Sequence, residues 1–211
     1  MTMKNTIKDL IGAYSRLDPP IIPDLNPAAT KTDINKAQRA LDVKFPDELV
    51  DFLSIHNGQR NPGRSPNWAL PGLIYHDGDA SSYGIGRSSK AWLNDLKSMV
   101  QFTEYDRSNY DEYGFTDDDH NYPTYGPAKY HRNFIAITRT EGADKLMMDL
   151  EPTKGGHFGQ IVMVATQPFI VSVIANSLAD LFQRVITSVE ENRLKYEADI
   201  NSWHELKNPR D

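Results

Sequence analysis

The chain has 211 residues, 39% hydrophobic, 10% aromatic and 25% charged, an ordinary globular composition with room for one sizeable core. It has no cysteine, which excludes a disulfide scaffold, thiolate metal sites and cysteine nucleophiles. The net charge of −6 belongs to one stretch: Glu104 to Asp119 holds seven of the 29 acids and one of the 23 bases, Arg107, and the remaining 22 acids and 22 bases cancel. A neutral body argues against nucleic-acid binding by general charge, and the acidic segment offers a concentrated negative field to a basic partner.

Ile7, Leu10, Ile11, Tyr14 and Leu17 recur at helical spacing, so an amphipathic helix is expected first. No apolar run reaches the roughly 20 residues of a bilayer span. Met1 to Leu17 carries Lys4, Lys8, Asp9 and Arg16 where a secretory signal would be apolar. A soluble cytoplasmic protein without membrane contact is expected. Asp18-Pro19-Pro20 stops the helix, because a residue before proline is pushed out of the α region. Residues 18–31 contain four prolines and read as an extended connector. Ile34, Ala37, Ala40 and Leu41 then mark a second helix, with Thr32 or Asp33 as its expected N-cap.

Leu41 to Gln59 holds a helix start, an apolar face and a stop. Proline fits the first turn at Pro46, where its missing N–H had no partner anyway. Asp47 and Glu48 follow at the positive end of the dipole. Leu49, Phe52 and Leu53 recur at i, i+3 and i+4, and Asn57-Gly58 is the expected left-handed stop. Residues 57–72 read as loop, Leu73-Ile74-Tyr75 as a short strand, and Ala91 to Phe102 as a helix burying Trp92. Residues 103–133 show no period and hold six of the ten tyrosines, so they read as a long excursion from the core.

Strands are expected at Phe134–Thr138, Leu146–Leu150, Gln160–Ala165 and Phe169–Ala175. Their near-continuous apolar runs suggest cover on both faces in places. Ser177 is the expected N-cap of a last helix, with Asp180 three residues on. Leu178, Leu181, Phe182, Val185, Ile186 and Val189 form its stripe, and Leu194, Tyr196, Ile200 and Trp203 are read as a helical tail over 191–211. The expected organisation is an N-terminal helix and connector over 1–30, one α+β domain over 31–190, and that tail. The sheet is expected to be mostly antiparallel and packed against helices.

With these elements placed, the chain resembles the SUKH superfamily, whose founding member is a yeast cell-wall-assembly regulator. Three blocks carry the resemblance: Thr32–Ala37 with Val43–Pro46 and His56–Gln59; Gly72–Tyr75; and Met148–Pro152 with Gly155-Gly156 and Gly159–Ile161. The match covers about 34–189. It implies a role by binding and no catalytic residue; Phe45, Leu150, Pro152 and Gly159 carry over as fold determinants. Most bacterial members look like immunity proteins that neutralise a delivered toxin, many of those toxins being nucleases, and the fungal branch acts as a hub in cell-wall signalling. The resemblance favours a non-enzymatic immunity protein whose partner is a cognate toxin; the acidic segment adds that the toxin has a basic surface, and no cofactor and no direct nucleic-acid contact are expected. A regulatory module in cell-wall assembly is the alternative, disfavoured because the long low-complexity flanks of a hub are not seen.

The candidate partner-binding residues are Glu104, Asp106, Tyr110, Asp111, Glu112, Tyr113, Asp117, Asp118, Asp119 and Tyr122, with Trp68 from the loop at 57–72. Tyrosine supplies rigid contact area with a polar end, and acids around it steer a basic partner. The acidic segment is expected to mimic the charge of nucleic acid toward a toxin surface. Asp117-Asp118-Asp119-His120 offers metal-ligand types, but consecutive acids do not meet the alternating EF-hand spacing. The six histidines form no H-E-x-x-H or triad-like signature. Gly84–Lys90 and Gly155–Gly159 match neither phosphate-loop pattern.

Overall fold

In a computed structural model the described residues are 2–60, 70–73, 91–112, 122–140, 144–166, 169–198 and 202–205. Helix α1 spans Met3–Ser15 and buries Met3, Ile7, Leu10, Ala13 and Tyr14; Thr2 caps it by accepting from Asn5 N. Helix α2, Lys31–Leu41, buries Ile34, Ala37 and Leu41. Its cap is Thr30, two to three residues earlier than expected: Asp33 reaches back as the second half of a capping box and so lies inside the helix. Helix α3 spans Asp47–Leu53 and starts after Pro46, with Leu49, Phe52 and Leu53 buried. It ends at Ser54, before Asn57-Gly58. Gly58 still needs its left-handed φ of +65°, for another reason: a Cβ there would stand 2.3 Å from Asn94 O.

The expected helix over 91–102 is instead two elements. Strand β1 is Ala91–Leu93, and helix α4 runs Leu96–Glu112. A short β2, Thr124–Tyr125, precedes β3 (Phe134–Ala136), β4 (Thr138–Thr140), β5 (Lys145–Asp149), β6 (Gln160–Thr166) and β7 (Phe169–Ala175). The expected strand at 134–138 therefore splits at Ile137. Asn94 causes the split: its N–H donates to Ile137 O at 2.9 Å and its Nδ2 to Ala136 O at 3.0 Å, which turns β4 away to pair with β1. The five-stranded sheet has the order β2-β7-β6-β5-β3, antiparallel except for the parallel β2–β7 pair. Helix α5, Leu178–Glu190, is capped by Ser177 as expected. Glu48 on α3 adds a second cap, accepting from Ala179 N at 3.2 Å.

The tail after Glu190 forms no α-helix over its described residues. Asn192 takes φ +56°, and β8 (Leu194–Glu197) pairs antiparallel with β9 (Ser202–Glu205). The apolar spacing that resembled a helix comes from Tyr196 and Trp203, directly opposite each other with ring centroids 5.4 Å apart. Glu205 ties the hairpin down by accepting from Arg193 at 2.7 Å and from Ser188 on α5.

The fold is α+β, and its sheet is covered on both faces. Ile135, Leu146, Met148, Ile161, Met163 and Ile170 face a core built with α1, α2, α3 and α5. Phe134, Met147, Val162, Val164 and Val171 face a second core with Tyr110, Ala128 and Tyr130. This is the period-2 alternation of strands. The first and third sequence blocks meet at Gly159, whose φ is +86° and whose absent Cβ would lie 2.8 Å from Pro46 Cγ. Phe45 beside it is fully buried, and Leu150 packs against the helix-side core. Among the described residues no helix is long and apolar enough to cross a membrane.

Candidate protein-binding surface

Helix α4 carries the first half of the acidic segment. It buries Leu96, Met99, Thr103, Asp106 and Tyr110, spaced i, i+3, i+7, i+10 and i+14. The stripe keeps helical period past Phe102 but passes from aliphatic residues to a hydroxyl, a carboxylate and a phenol. That is why residues 103–112 read as aperiodic in the sequence although they are helix. Thr103 Oγ1 accepts from Ala136 N at 3.0 Å, which closes the outer edge of β3. Asp106 pairs with Lys145 on β5. Arg107 donates from Nη1 to Leu41 O at 2.7 Å, at the end of α2, and from Nε to Arg132 O at 2.9 Å.

The candidate residues therefore divide. Glu104 is exposed on α4, whereas Asp106 is 5% exposed and turned into the protein. Burial pushes the Asp106 carboxyl above its ordinary pKa, against the opposing pull of Lys145. Tyr110 is 7% exposed and packs on Tyr130 with ring centroids 5.5 Å apart. Tyr122 is half-buried, edge-on to Phe169 at 4.9 Å, and its hydroxyl accepts from Tyr130 N at 2.9 Å. Burial raises the Tyr130 hydroxyl well above the ordinary tyrosine value. Asp106, Tyr110 and Tyr122 thus serve the second core, because the sheet face they cover would otherwise be wet. Asp111 and Glu112 form the end of α4. Tyr113, Asp117, Asp118, Asp119 and Trp68 lie outside the described residues, as do Ile74, Tyr75 and Gly84–Lys90. The expected excursion over 103–133 is in fact helix to Glu112, and residues 122–133 are bound to the sheet.

Sequence reading missed Tyr105. It is 62% exposed on the outer side of α4, in a ridge with Gln101, Glu104 and Ser108. Extending the period of Leu96 and Met99 through Thr103, Asp106 and Tyr110 would have pointed it outward.

The buried polar groups beside this ridge hold structure. Asp149 is fully buried and accepts on Oδ1 from His131 Nε2 and Glu151 N, and on Oδ2 from Gln160 Nε2, each at 2.9 Å. His131 Nδ1 accepts from Asn133 N at 3.0 Å, so the ring is held with its proton on Nε2. Gln160 also donates to Pro127 O at 2.9 Å, which pins residues 127–131 over the sheet. A cleft between Asp106, Tyr110, Tyr130, His131 and Arg132 encloses about 10 Å³, room for one water and no substrate. Among the described residues no group of three or more potential ligands is placed to hold a metal ion.

The SMI1 / KNR4 family (SUKH-1) model matches residues 28–184, well over half of the chain. A glucan synthesis regulatory protein of Neurospora crassa is 22% identical over 199 residues, which cover 87% of this chain and 37% of that protein. The chain thus spans little more than a third of the length of this relative. On the family-model match, the chain belongs to the SMI1 / KNR4 family (SUKH-1).

Proposed function

We propose that this chain acts without catalysis, by binding another protein, and that it is an immunity protein that occludes one cognate toxin. The observation that carries the reading is the placement of charge. All of the net −6 resides in 104–119, and α4 starts that stretch on a rigid helix with Glu104 and Tyr105 outward. Asp111 and Glu112 sit at the C-terminal end of α4, where the helix dipole disfavours acids. Stability alone would not select that arrangement; attraction of a basic surface would, by raising the association rate and rejecting acidic partners. Aromatic anchors supply affinity once the surfaces meet.

The second reading is a regulatory module in cell-wall assembly, favoured by the description of the Neurospora crassa relative. Deletion of the gene in its native host separates the two. An immunity protein predicts that the deletion strain is inhibited by parental cells in mixed culture and rescued by the gene supplied in trans. A wall regulator predicts sensitivity to wall-damaging compounds in pure culture, with no effect of neighbours. Reversing the charges of Asp111, Glu112 and Asp117–Asp119 is expected to abolish rescue in mixed culture; full rescue by that variant would refute the electrostatic mechanism.

A further inference from the structure

We propose that the outer ridge of α4 is the contact surface of this binding reaction, and that it takes an arginine-rich surface of the partner, with guanidinium groups stacking on Tyr105 and pairing with Glu104. The inference rests on the binding role proposed above. Three observations carry it.

The ridge is fixed in place. Thr103, Asp106 and Arg107 bracket Glu104 and Tyr105, and each is anchored inward, to Ala136 N, to Lys145, and to Leu41 O and Arg132 O. Helix α4 therefore presents these two side chains with little backbone order left to lose on binding.

Tyr105 is exposed where its neighbours are not. Tyr110 and Tyr130 are 7% and 8% exposed and close the second core, whereas Tyr105 at 62% covers none of it. The side chains of Tyr105 and Glu104 make no hydrogen bond or salt bridge with another described residue, and the Glu104 carboxylate lies in the field of Arg107. A large ring left outside a completed core is what an interface anchor requires.

The charge selects the partner. Arg107, the one base in the acidic segment, spends its Nε and Nη1 donors inward while its charge acts on Glu104, so it offsets one of the seven acids and leaves 104–119 at −6. A planar guanidinium satisfies both a tyrosine face and a carboxylate, and an ammonium satisfies only the charge with comparable geometry.

The test is titration of the full chain with nona-arginine and nona-lysine peptides at low salt, read by backbone amide shifts. Shifts centred on 101–108 are expected, with nona-arginine about two- to fivefold tighter than nona-lysine. Tyr105→Ala and Glu104→Gln should each weaken nona-arginine by about two- to fivefold, and Tyr125→Ala and Phe158→Ala, at exposed aromatics elsewhere, should leave it unchanged. Alanine keeps the helix, so loss of fold does not confuse the result. Shifts centred away from α4, or an unchanged affinity in Tyr105→Ala, would overturn the ridge while leaving a basic partner in place. Absence of salt-sensitive binding would overturn it too, and the mixed-culture assay then judges the immunity reading separately.

Discussion

The two faces of the central sheet are closed by different chemistry. On one, helices α1, α2, α3 and α5 bring aliphatic side chains and phenylalanines such as Leu10, Leu49 and Phe182, with Phe52 and Phe182 tilted at 5.8 Å. On the other, one end of α4 and the irregular residues 122–131 bring tyrosines, with Tyr130 edge-on to both Phe134 and Phe169. Both faces exclude water. The first relies mainly on apolar area, with a polar tip, the buried Tyr14 hydroxyl, donating to Pro71 O at 2.9 Å. The second is held by polar tips: Tyr122 to Tyr130 N, Gln160 to Pro127 O and His131 to Asp149. Aromatic rings with hydrogen-bonding ends can thus cover a sheet without a second regular layer, provided each end finds a partner.

If the helix face is the main store of stability, Phe182→Ala should have the largest effect, about 3–5 kcal/mol, read by chemical denaturation as one cooperative transition. Gly58→Ala comes next at about 2–3 kcal/mol, since a left-handed φ and a clash with the Asn94 backbone act together. Tyr130→Ala should cost about 2–3 kcal/mol in a different manner. Hydrogen exchange is expected to accelerate first across 122–131 and α4 while α1 and α5 remain protected. Uniform acceleration would show that the two faces open as one unit.

The pH dependence of Asp106 tests the join between the faces. Burial raises its folded pKa, so the native state holds that proton more tightly than the unfolded chain. Its contribution to stability is largest below the ordinary carboxylate range, falls as pH rises through the raised value, and is flat above. The difference between the parent chain and Asp106→Asn, followed by denaturation across acidic pH, should decline in that window. A difference that grows with pH would mean that the Lys145 pair outweighs burial. The smallest effect is expected for Glu104→Lys: within about 0.5 kcal/mol in stability, because the side chain is exposed and its interaction with Arg107 is screened by water, but with clear loss of basic-peptide binding.

The helix-face elements were legible because each repeats a short apolar period and carries its own cap, as with Ser177 ahead of Leu178, Leu181, Phe182 and Val185. Strands β5 to β7 were legible for the same reason, apolar runs bounded by turns such as Gly155–Gly159. The misreadings share one cause, which is that a local pattern has more than one three-dimensional solution. Trp92 fits a helical stripe with Leu96 and Met99, but Asn94 spends its backbone and side chain on β3 and the following chain and so ends a strand there. Tyr196 and Trp203 fit a helix spacing and equally a hairpin pair.

Of the candidate site, the sequence by itself determined where the charge lies, that one body and one family pattern surround it, and that tyrosine is concentrated beside it. Which tyrosine faces inward depended on what stands opposite. Tyr110 and Tyr130 meet the Met147–Val162–Val171 face of a sheet assembled from strands up to about sixty residues away, and Tyr105, one helical step from the buried stripe, stays outside that core and largely exposed. Burial is a property of the partner surface as much as of the residue. Only the tertiary structure sorted Asp106 into an ion pair and left Glu104 outside, because the Lys145 that takes Asp106 lies across the fold on β5.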